Sequence, residues 1–201
     1  MLYNIFAVII GYLVGSIPCG FLLVKFIYHK DIREFGSGNI GATNIWRAGY
    51  KQLAIVAFVL DAFKALFSIF MISQIGVIFT VNKYMIEDAC IIAGFFAVIG
   101  HVFSIYLRGR GGKGVATMIG LNLYLSMTMS ILGLAIWYGV FKFTRYSSLS
   151  SLAFIGFNLI FGLLFVTPLL AKLAIFLLSC LIFYQHKDNI IRLLNKEEKK
   201  L

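Results

Sequence analysis

The chain has 201 residues, of which 61% are hydrophobic and only 13% charged, and its mean hydropathy is +0.93. Soluble domains are about half apolar and about a quarter charged, so this composition excludes an ordinary soluble domain. The net charge of +10 is typical of the lysine- and arginine-rich cytoplasmic loops of membrane proteins, and we expect no nucleic-acid partner.

The apolar residues lie in long runs, the first of which covers residues 2–27 and contains one charged residue, Lys25. Further runs cover residues 53–81, 89–107, 115–141 and 149–185. About 20 helical residues cross a hydrocarbon core, and none of these runs alternates as a barrel strand does. The sequence predicts one all-α integral membrane domain over residues 1–201, with the first run as a span rather than a signal peptide.

The first polar segment, residues 35–47, is rich in glycine and in hydrogen-bond donors and ends at Arg47. Glycines let backbone N–H groups approach a ligand, and a helix beginning near Thr43 would point its N-terminus at an anion. A flexible polar turn explains the Gly-Ser-Gly-Asn run equally well. The segment alone is therefore an ambiguous phosphate site.

Two ionisable residues, Asp61 and Lys64, lie within the second apolar run. Charges at such depth are costly and are usually functional or paired. Their spacing of three places both on one helix face, so the pair can neutralise itself. We expect a structural role for this pair rather than a catalytic one.

Residues 108–117 read Arg-Gly-Arg-Gly-Gly-Lys-Gly-Val-Ala-Thr. The segment is similar to a P-loop, but Leu107 stands where its first glycine is needed and Gly114 where a hydroxyl must follow the lysine. Nucleotide hydrolysis is therefore disfavoured. Bare backbone N–H groups, three cations and a helix start remain, and they favour anion binding over a simple membrane anchor.

The run over residues 115–141 is long for one span and short for two. Dividing it near residues 126–130 gives seven spans, with 14 lysines and arginines on one side and 2 on the other. Leaving it whole gives six spans and 8 on each side. Since cytoplasmic loops carry the excess of positive charge, we predict seven transmembrane helices, with the N-terminus outside and the C-terminus cytoplasmic. The last run is predicted to be two helices that turn near Thr167 and Pro168.

Polar side chains recur in the last third of the chain. Ser147 and Ser148 open a helix and are typical of an N-cap. His186 and Asn189 are three residues apart and share one helix face. Residues 196–200 are predicted to be a solvated basic tail that touches anionic lipid.

Taken together, these segments resemble the bacterial membrane glycerol-3-phosphate acyltransferases that use acyl phosphate, the PlsY family. The resemblance covers nearly the whole chain and rests on three ordered motifs: Ser-Gly-Asn-Ile-Gly-Ala-Thr-Asn at 37–44, Gly-His at 100–101 with Gly-Gly-Lys-Gly-Val-Ala-Thr at 111–117, and His186 with Asn189 and Ile190. The family's seven-helix fold, with its motifs facing the cytoplasm, agrees with the charge count.

The resemblance implies the transfer of an acyl group from acyl phosphate to the 1-hydroxyl of glycerol 3-phosphate, which yields lysophosphatidate and inorganic phosphate. It implies no metal and no cofactor, and it places the protein in the bacterial cytoplasmic (inner) membrane, in contact with membrane lipid. The chain lacks the His-x-x-x-x-Asp pair of the other large glycerolipid acyltransferase class, which argues against acyl-CoA or acyl-carrier-protein donors. The alternative function is a transporter of an anion or lipid headgroup, which would also need basic loops and buried charge.

The resemblance also assigns residues to this chemistry. The implied catalytic residues are Lys113, His186 and Ser37, and the base is either His186 or the substrate's own phosphate. The implied substrate-binding residues are Gly38, Asn39, Gly41, Thr43, Asn44, Arg47, His101, Gly111, Gly112, Gly114, Thr117, Ser147, Ser148 and Asn189. Acyl phosphate would be bound by Ser37, Gly38, Lys113 and Gly114, and glycerol 3-phosphate by Arg47, Ser148, His186 and Asn189.

Overall fold

The computed structural model describes residues 2–201, and over that range all regular structure is helical, as predicted. The helices are α1 (Leu2–Ser16), α2 (Cys19–Tyr28), α3 (Ala42–Arg47), α4 (Lys51–Ile78), α5 (Lys83–Val102), α6 (Val115–Leu125), α7 (Met127–Thr144), α8 (Ser147–Phe165), α9 (Leu169–Gln185) and α10 (Lys187–Leu194). Short 3₁₀ turns lie at Ile32–Glu34 and Ile105–Leu107. The chain packs as two compact units, of which the first ends at Leu121 and the second is Asn122–Leu201.

Five helical segments are long and apolar enough to cross a membrane: Leu2–Tyr28, Lys51–Ile78, Lys83–Leu107, Met127–Thr144 and Ser147–Phe165. α9 and α10 together form a sixth candidate, bent by 54° where they meet. α6 is apolar but has only 11 residues, fewer than the roughly 20 that cross a bilayer. These helices confirm the prediction of a multi-pass membrane protein.

The first apolar run, predicted as a span over residues 2–27, is long and apolar enough to cross a membrane, but its helix is interrupted. α1 and α2 are separated by Ile17 and Pro18. Pro18 has no N–H to donate to the Val14 carbonyl oxygen, which instead accepts a hydrogen bond from the Ile17 N–H (3.2 Å). The Ile17 carbonyl oxygen consequently lies outside the regular helical hydrogen-bond ladder.

The two turns predicted in the later apolar runs are confirmed. α6 and α7 are separated by Ser126, whose side-chain oxygen caps α7 by accepting a hydrogen bond from the Met129 N–H (3.2 Å). α8 and α9 are separated by residues 166–168, with Pro168 immediately before α9. Proline is tolerated at a helix start because its missing N–H is not needed there. Both turns therefore follow from local chemistry.

α1 and α5 pack with their backbones in direct contact. A Cβ atom added at Gly11 or Gly15 would overlap the backbone carbonyl oxygens of Ala93 and Ala97, respectively. Both pairs are four residues apart, which is the small-xxx-small spacing that membrane helices use for close packing. This contact holds α5, which carries His101 near its end, firmly against α1.

The second unit is held together by hydrogen bonds between helices. The Asn122 amide donates to the Asn158 side-chain oxygen (2.6 Å). Within α8, the Asn158 amide is oriented by donating to the Phe154 carbonyl oxygen (2.6 Å). Trp137 Nε1–H donates to Ser151 Oγ (3.3 Å). Such bonds contribute to membrane-helix association, since lipid tails are as apolar as leucine side chains.

Candidate active site

The first loop is organised around Asn44, which is buried in α3. Its amide nitrogen lies 2.8–3.0 Å from the carbonyl oxygens of Ile32, Phe35 and Asn39. Its Oδ1 accepts a hydrogen bond from the Ser37 N–H (2.9 Å). The structure thus uses Asn44 to shape the loop, whereas the sequence predicted a substrate-binding side chain.

The tip of this loop presents Ser37 and Gly38, which are both exposed. Gly38 has a φ of +70°, a left-handed conformation that favours glycine. Asn39 Oδ1 accepts a hydrogen bond from the Gly41 N–H (2.8 Å), which turns the chain into α3. The loop is therefore a defined structure rather than a flexible polar turn.

α3 begins at Ala42, one residue before the start predicted near Thr43, and carries the half-buried Arg47 in its last turn. It has only six residues. Because the dipoles of so few peptide units sum to little, the predicted anion-binding contribution of this helix terminus is not supported. Side-chain and loop N–H donors are left to supply that contribution.

The glycine-rich loop folds back onto the end of α5. The Gly111 N–H donates to the Val102 carbonyl oxygen (3.0 Å), and the Gly112 N–H donates to the His101 carbonyl oxygen (2.9 Å). A Cβ atom at Gly111 would overlap the His101 carbonyl oxygen, and one at Gly112 would overlap His101 Nε2. Only glycine lets the loop lie this close to the histidine.

The cations of this loop differ in exposure. Arg108 and Arg110 are exposed, whereas Lys113 is half-buried. The next residue, Gly114, has a φ of +92°, and its carbonyl oxygen accepts the Met118 N–H (2.9 Å) at the start of α6. Lys113 therefore stands directly before the N-terminus of an 11-residue helix, where backbone N–H groups favour an anion.

Asp61, Lys64 and His101 form a buried cluster next to this loop, with exposed fractions of 3%, 4% and 4%. Lys64 Nζ lies 2.8 Å from Asp61 Oδ1 and 3.0 Å from His101 Nδ1. It also donates to the Ile17 carbonyl oxygen (2.9 Å) at the break between α1 and α2. The predicted pairing of Asp61 with Lys64 is confirmed, and the histidine is an addition that the sequence did not indicate.

In the second unit, the carboxylate of Glu198 accepts hydrogen bonds from three side chains. Ser148 Oγ and the Asn189 amide donate to its Oε1 (3.1 and 3.0 Å), and Arg192 Nε donates to its Oε2 (2.8 Å). Burial alone would raise the pKa of the Glu198 carboxyl, but the hydrogen bonds from Arg192, Asn189 and Ser148 outweigh it and hold the pKa below its ordinary value. The ionised carboxylate therefore orients Ser148 and Asn189.

Four of the residues 196–200 are exposed, as predicted for a solvated basic tail, and Glu198 is the exception. Glu198 is only 7% exposed, and the Leu201 N–H donates to the Arg145 carbonyl oxygen (2.9 Å). Three hydrogen bonds to its carboxylate hold Glu198 in this buried position. The only sequence signal was the presence of Glu197 and Glu198 inside a lysine-rich run.

The serine pair also differs from its predicted N-cap position. α8 begins at Ser147, so Tyr146 occupies the N-cap position and no side chain caps the helix. Both serines are buried in the first turn. Ser148 donates to Glu198 from this position, which links α8 to the C-terminal tail.

His186 is buried at the joint between α9 and α10. Its Nδ1 lies 2.8 Å from the Ile182 carbonyl oxygen, so Nδ1 carries the proton and donates it. In the neutral ring Nε2 then holds the lone pair and can accept a proton. This tautomer is the one that a general base requires.

The predicted site residues divide between the two units. The second unit contains Ser147, Ser148, His186 and Asn189, and the first contains the others. Within the first unit, Thr117 is fully buried inside α6, so the structure gives it no direct access to a ligand at the surface. Ser37, Gly38 and Lys113 keep at least partial exposure.

A sequence model described as glycerol-3-phosphate acyltransferase matches residues 5–196. The chain belongs to this acyltransferase family. It is 42% identical over 196 residues to glycerol-3-phosphate acyltransferase 1 of Rhizobium johnstonii, covering 97% of this chain and 90% of that protein. It is 40% identical to the glycerol-3-phosphate acyltransferase of Pelagibacter ubique, covering 94% of this chain and 93% of that one.

Solved structures of the acyltransferase family agree with this assignment. The chain is similar to PlsY (YgiH), an integral membrane glycerol 3-phosphate acyltransferase, in its glycerol 3-phosphate form, with a TM-score of 0.87 and 32% identity. The match covers 98% of this chain and 95% of PlsY. The lysophosphatidic acid form gives a TM-score of 0.82. Membership in the family confirms the resemblance and favours an acyltransferase over a transporter.

Proposed function

We propose that the protein transfers an acyl group from acyl phosphate to the 1-hydroxyl of sn-glycerol 3-phosphate, giving lysophosphatidate and inorganic phosphate for phospholipid synthesis. The observation that carries this proposal is the half-buried Lys113 before the N-terminus of α6. It follows two glycines that pack against the end of α5. A compact ammonium beside the N–H groups of a helix N-terminus suits a phosphoryl leaving group.

The first unit is proposed to bind the acyl phosphate. Lys113 and Gly114 would hold its phosphate at the start of α6. The Ser37 hydroxyl would donate to it from the exposed tip of the first loop, where Gly38 has no side chain to obstruct the ligand. Arg47 is proposed to bind the phosphate of the second substrate through its planar guanidinium. Between residues 35–47 the only charged side chain is this arginine, so no carboxylate opposes an anion there.

The second unit is proposed to bind glycerol 3-phosphate. Ser148 and Asn189 are already oriented by the Glu198 carboxylate. His186 holds its Nε2 lone pair because Nδ1–H is committed to the Ile182 carbonyl oxygen. His186 is therefore suited to take the proton from the 1-hydroxyl, and a phosphate oxygen of the substrate is the other candidate base.

The chemical step needs no covalent enzyme intermediate. The 1-hydroxyl oxygen attacks the acyl carbon, the new ester C–O bond forms, and the bond from the acyl carbon to the phosphate oxygen breaks. The hydroxyl proton passes to the base, and phosphate leaves with the electron pair. Since phosphate is a good leaving group, positioning and charge stabilisation can supply the catalysis.

The choice of acyl donor tests this proposed function. Purified protein should make lysophosphatidate from palmitoyl phosphate and glycerol 3-phosphate without added metal or nucleotide. It should make none from palmitoyl-CoA, because a thioester demands stronger activation of the hydroxyl than this chain offers without a His-x-x-x-x-Asp pair. Robust turnover of the CoA ester, or a strict need for magnesium, would contradict the proposal.

The proposed topology has seven spans in the bacterial cytoplasmic membrane, with the N-terminus outside and the C-terminus cytoplasmic. It is supported by the charge asymmetry of the sequence and by the break between α6 and α7. Single cysteines can test it in a background without Cys19, Cys90 and Cys180.

Lys83→Cys, at the exposed start of α5, should react with an impermeant thiol reagent in intact cells. Arg110→Cys and Lys142→Cys, which are also exposed positions, should react only after the membrane is opened. External labelling of both Lys83→Cys and Lys142→Cys would restore six spans. External labelling of Arg110→Cys and Lys142→Cys, without labelling of Lys83→Cys, would reverse the orientation.

A further inference from the structure

The buried ammonium of Lys64 has two hydrogen-bond acceptors and one ion-pair partner. It donates to His101 Nδ1 (3.0 Å) and to the Ile17 carbonyl oxygen (2.9 Å), and it forms an ion pair with Asp61 Oδ1 at 2.8 Å. An ammonium has three donors and no acceptor. His101 Nδ1 must therefore offer it a lone pair.

The contact with Lys64 assigns the tautomer of His101. Nδ1 accepts from Lys64, so it carries no proton, and the neutral ring must carry its proton on Nε2. Asp61 Oδ1 lies closer to the lysine (2.8 Å) than to the histidine (3.5 Å), so the ion pair forms between Asp61 and Lys64. The histidine is left neutral beside a pair whose net charge is zero.

The Nε2 atom of His101 faces the glycine-rich loop. It is the atom that a Cβ at Gly112 would meet first, and the Gly112 N–H donates to the His101 carbonyl oxygen (2.9 Å). Gly112 directly precedes Lys113. The ring is thus held on one side by Lys64 and presents an N–H donor on the other side, next to the loop.

The geometry points to Asp61 and Lys64 as positioning residues that lock His101 as an Nε2–H donor for a phosphoryl oxygen bound at the 111–114 loop. This inference rests on the proposed function and adds a neutral, directed donor to the charge of Lys113. The lock matters because the other tautomer would present a lone pair, which repels a phosphate oxygen. A ring anchored from behind also keeps its direction when the loop is occupied.

Nitrogen-15 NMR of the wild-type protein tests the tautomer directly. The chain has 3 histidines, and loss of signals in His101→Gln assigns those of His101. We expect Nε2 protonated and Nδ1 unprotonated, and we expect inorganic phosphate to shift the Nε2 resonance. A protonated Nδ1, or an Nε2 resonance that saturating phosphate leaves unmoved, would overturn the inference.

The double variant Asp61→Leu with Lys64→Met tests the positioning role. Removing both charges together leaves no unpaired ion, so the fold should persist with little change in thermal unfolding. The Nδ1-protonated tautomer should then appear, and kcat should fall about 10- to 100-fold, the effect of one hydrogen bond to a charged group. The KM for glycerol 3-phosphate should stay unchanged. Full kcat in a variant with mixed tautomers would refute the role.

Rescue at His101 separates hydrogen bonding from packing. The glutamine amide can place an N–H near the position of Nε2, so His101→Gln should keep turnover within about tenfold of wild type, whereas His101→Leu should lose about 100-fold. Equal losses in both variants would contradict the donor role. If palmitoyl phosphate is not turned over while phosphate still shifts a protonated Nε2, the inference holds and the proposed function fails.

Discussion

The two units each bury a histidine, but they hold the two rings in opposite ways. In the first unit, His101 Nδ1 accepts from the ammonium of Lys64 on another helix (3.0 Å). In the second unit, His186 Nδ1 donates to Ile182 O, one turn back in its own helix (2.8 Å). The same side chain is therefore an Nε2–H donor in one unit and an Nε2 acceptor in the other.

This difference shows that a partner on Nδ1 decides what Nε2 can do. The partner of His186 is local and forms with the helix itself. The partner of His101 is 37 residues away in sequence and exists only when α4 and α5 pack together. The tautomer of His186 is thus set by local structure, and that of His101 by tertiary structure.

The largest expected effect comes from removing the ammonium group of Lys113 in the first unit. Lys113→Ala should lower kcat by about 10³-fold or more, because a single preorganised donor contributes 10²–10³ and a charged one contributes more. Lys113→Arg should also be poor, since a wide fork replaces a compact ammonium. Initial rates with palmitoyl phosphate measure both, with the exposed Lys83→Ala as the control. Near-normal rates for Lys113→Ala would reduce the loop to a membrane anchor.

The next prediction compares the same substitution, histidine to glutamine, at His186 and at His101. His186→Gln should lose about 10²-fold in kcat or more, because an amide cannot accept the hydroxyl proton. His101→Gln should lose far less, since an amide can still donate. Similar small losses in both variants would identify the substrate's phosphate, rather than His186, as the base.

A smaller effect tests the contact between loop and ring in the first unit. Gly112→Ala should lower kcat about 10- to 100-fold, since its Cβ would overlap His101 Nε2 and displace the donor. Gly156→Ala is the matched control, because a Cβ there meets no atom within 4 Å. Equal kinetics for the two variants would show that the ring does not need this contact.

The smallest effect concerns stability and belongs to the second unit. Glu198→Gln should lower the free energy of unfolding by about 1–3 kcal/mol, because the ion pair with Arg192 is lost. Thermal unfolding in detergent measures it, with the exposed neighbour Glu197→Gln as the control. Equal stability of Glu198→Gln and Glu197→Gln would show that the Glu198 carboxylate does not stabilise the fold.

The stabilisation by Glu198 depends on pH, and the sign of this dependence follows from the pKa of its carboxyl group. The folded pKa of Glu198 lies below its ordinary value of 4.5. Its stabilisation is therefore complete above that ordinary value and disappears as the pH falls through the lower, folded value. Wild type and Glu198→Gln should consequently converge in stability under acid conditions.

The sequence predicted those parts of the molecule that local chemistry decides. Long apolar runs predicted the helices, and the polar residues near Ser126 and the proline at Pro168 predicted two breaks. The break at Pro18 was missed because the run around it stays apolar. The ion pair of Asp61 and Lys64 was predictable because three residues separate the partners within one helix.

The contacts that the sequence could not predict are distant ones. Ser148 and Glu198 are 50 residues apart, and a glutamate among lysines is more often solvated. The amide of Asn44 was assigned to substrate, because no pattern tells whether an amide will turn to the backbone or to solvent. The individual roles of Ser37, Lys113 and His186 stay predictions that the variants above can decide.

The backbone contact between α1 and α5 has a consequence for biosynthesis. Gly11 precedes its neighbour Ala93 by 82 residues, and ribosomes add roughly 5–20 residues per second. The first helix therefore leaves the ribosome about 4–16 s before the helix that covers its glycine face. Throughout that interval the face is open to lipid or to a wrong helix, so slower translation should lengthen the period in which the nascent chain can mispair.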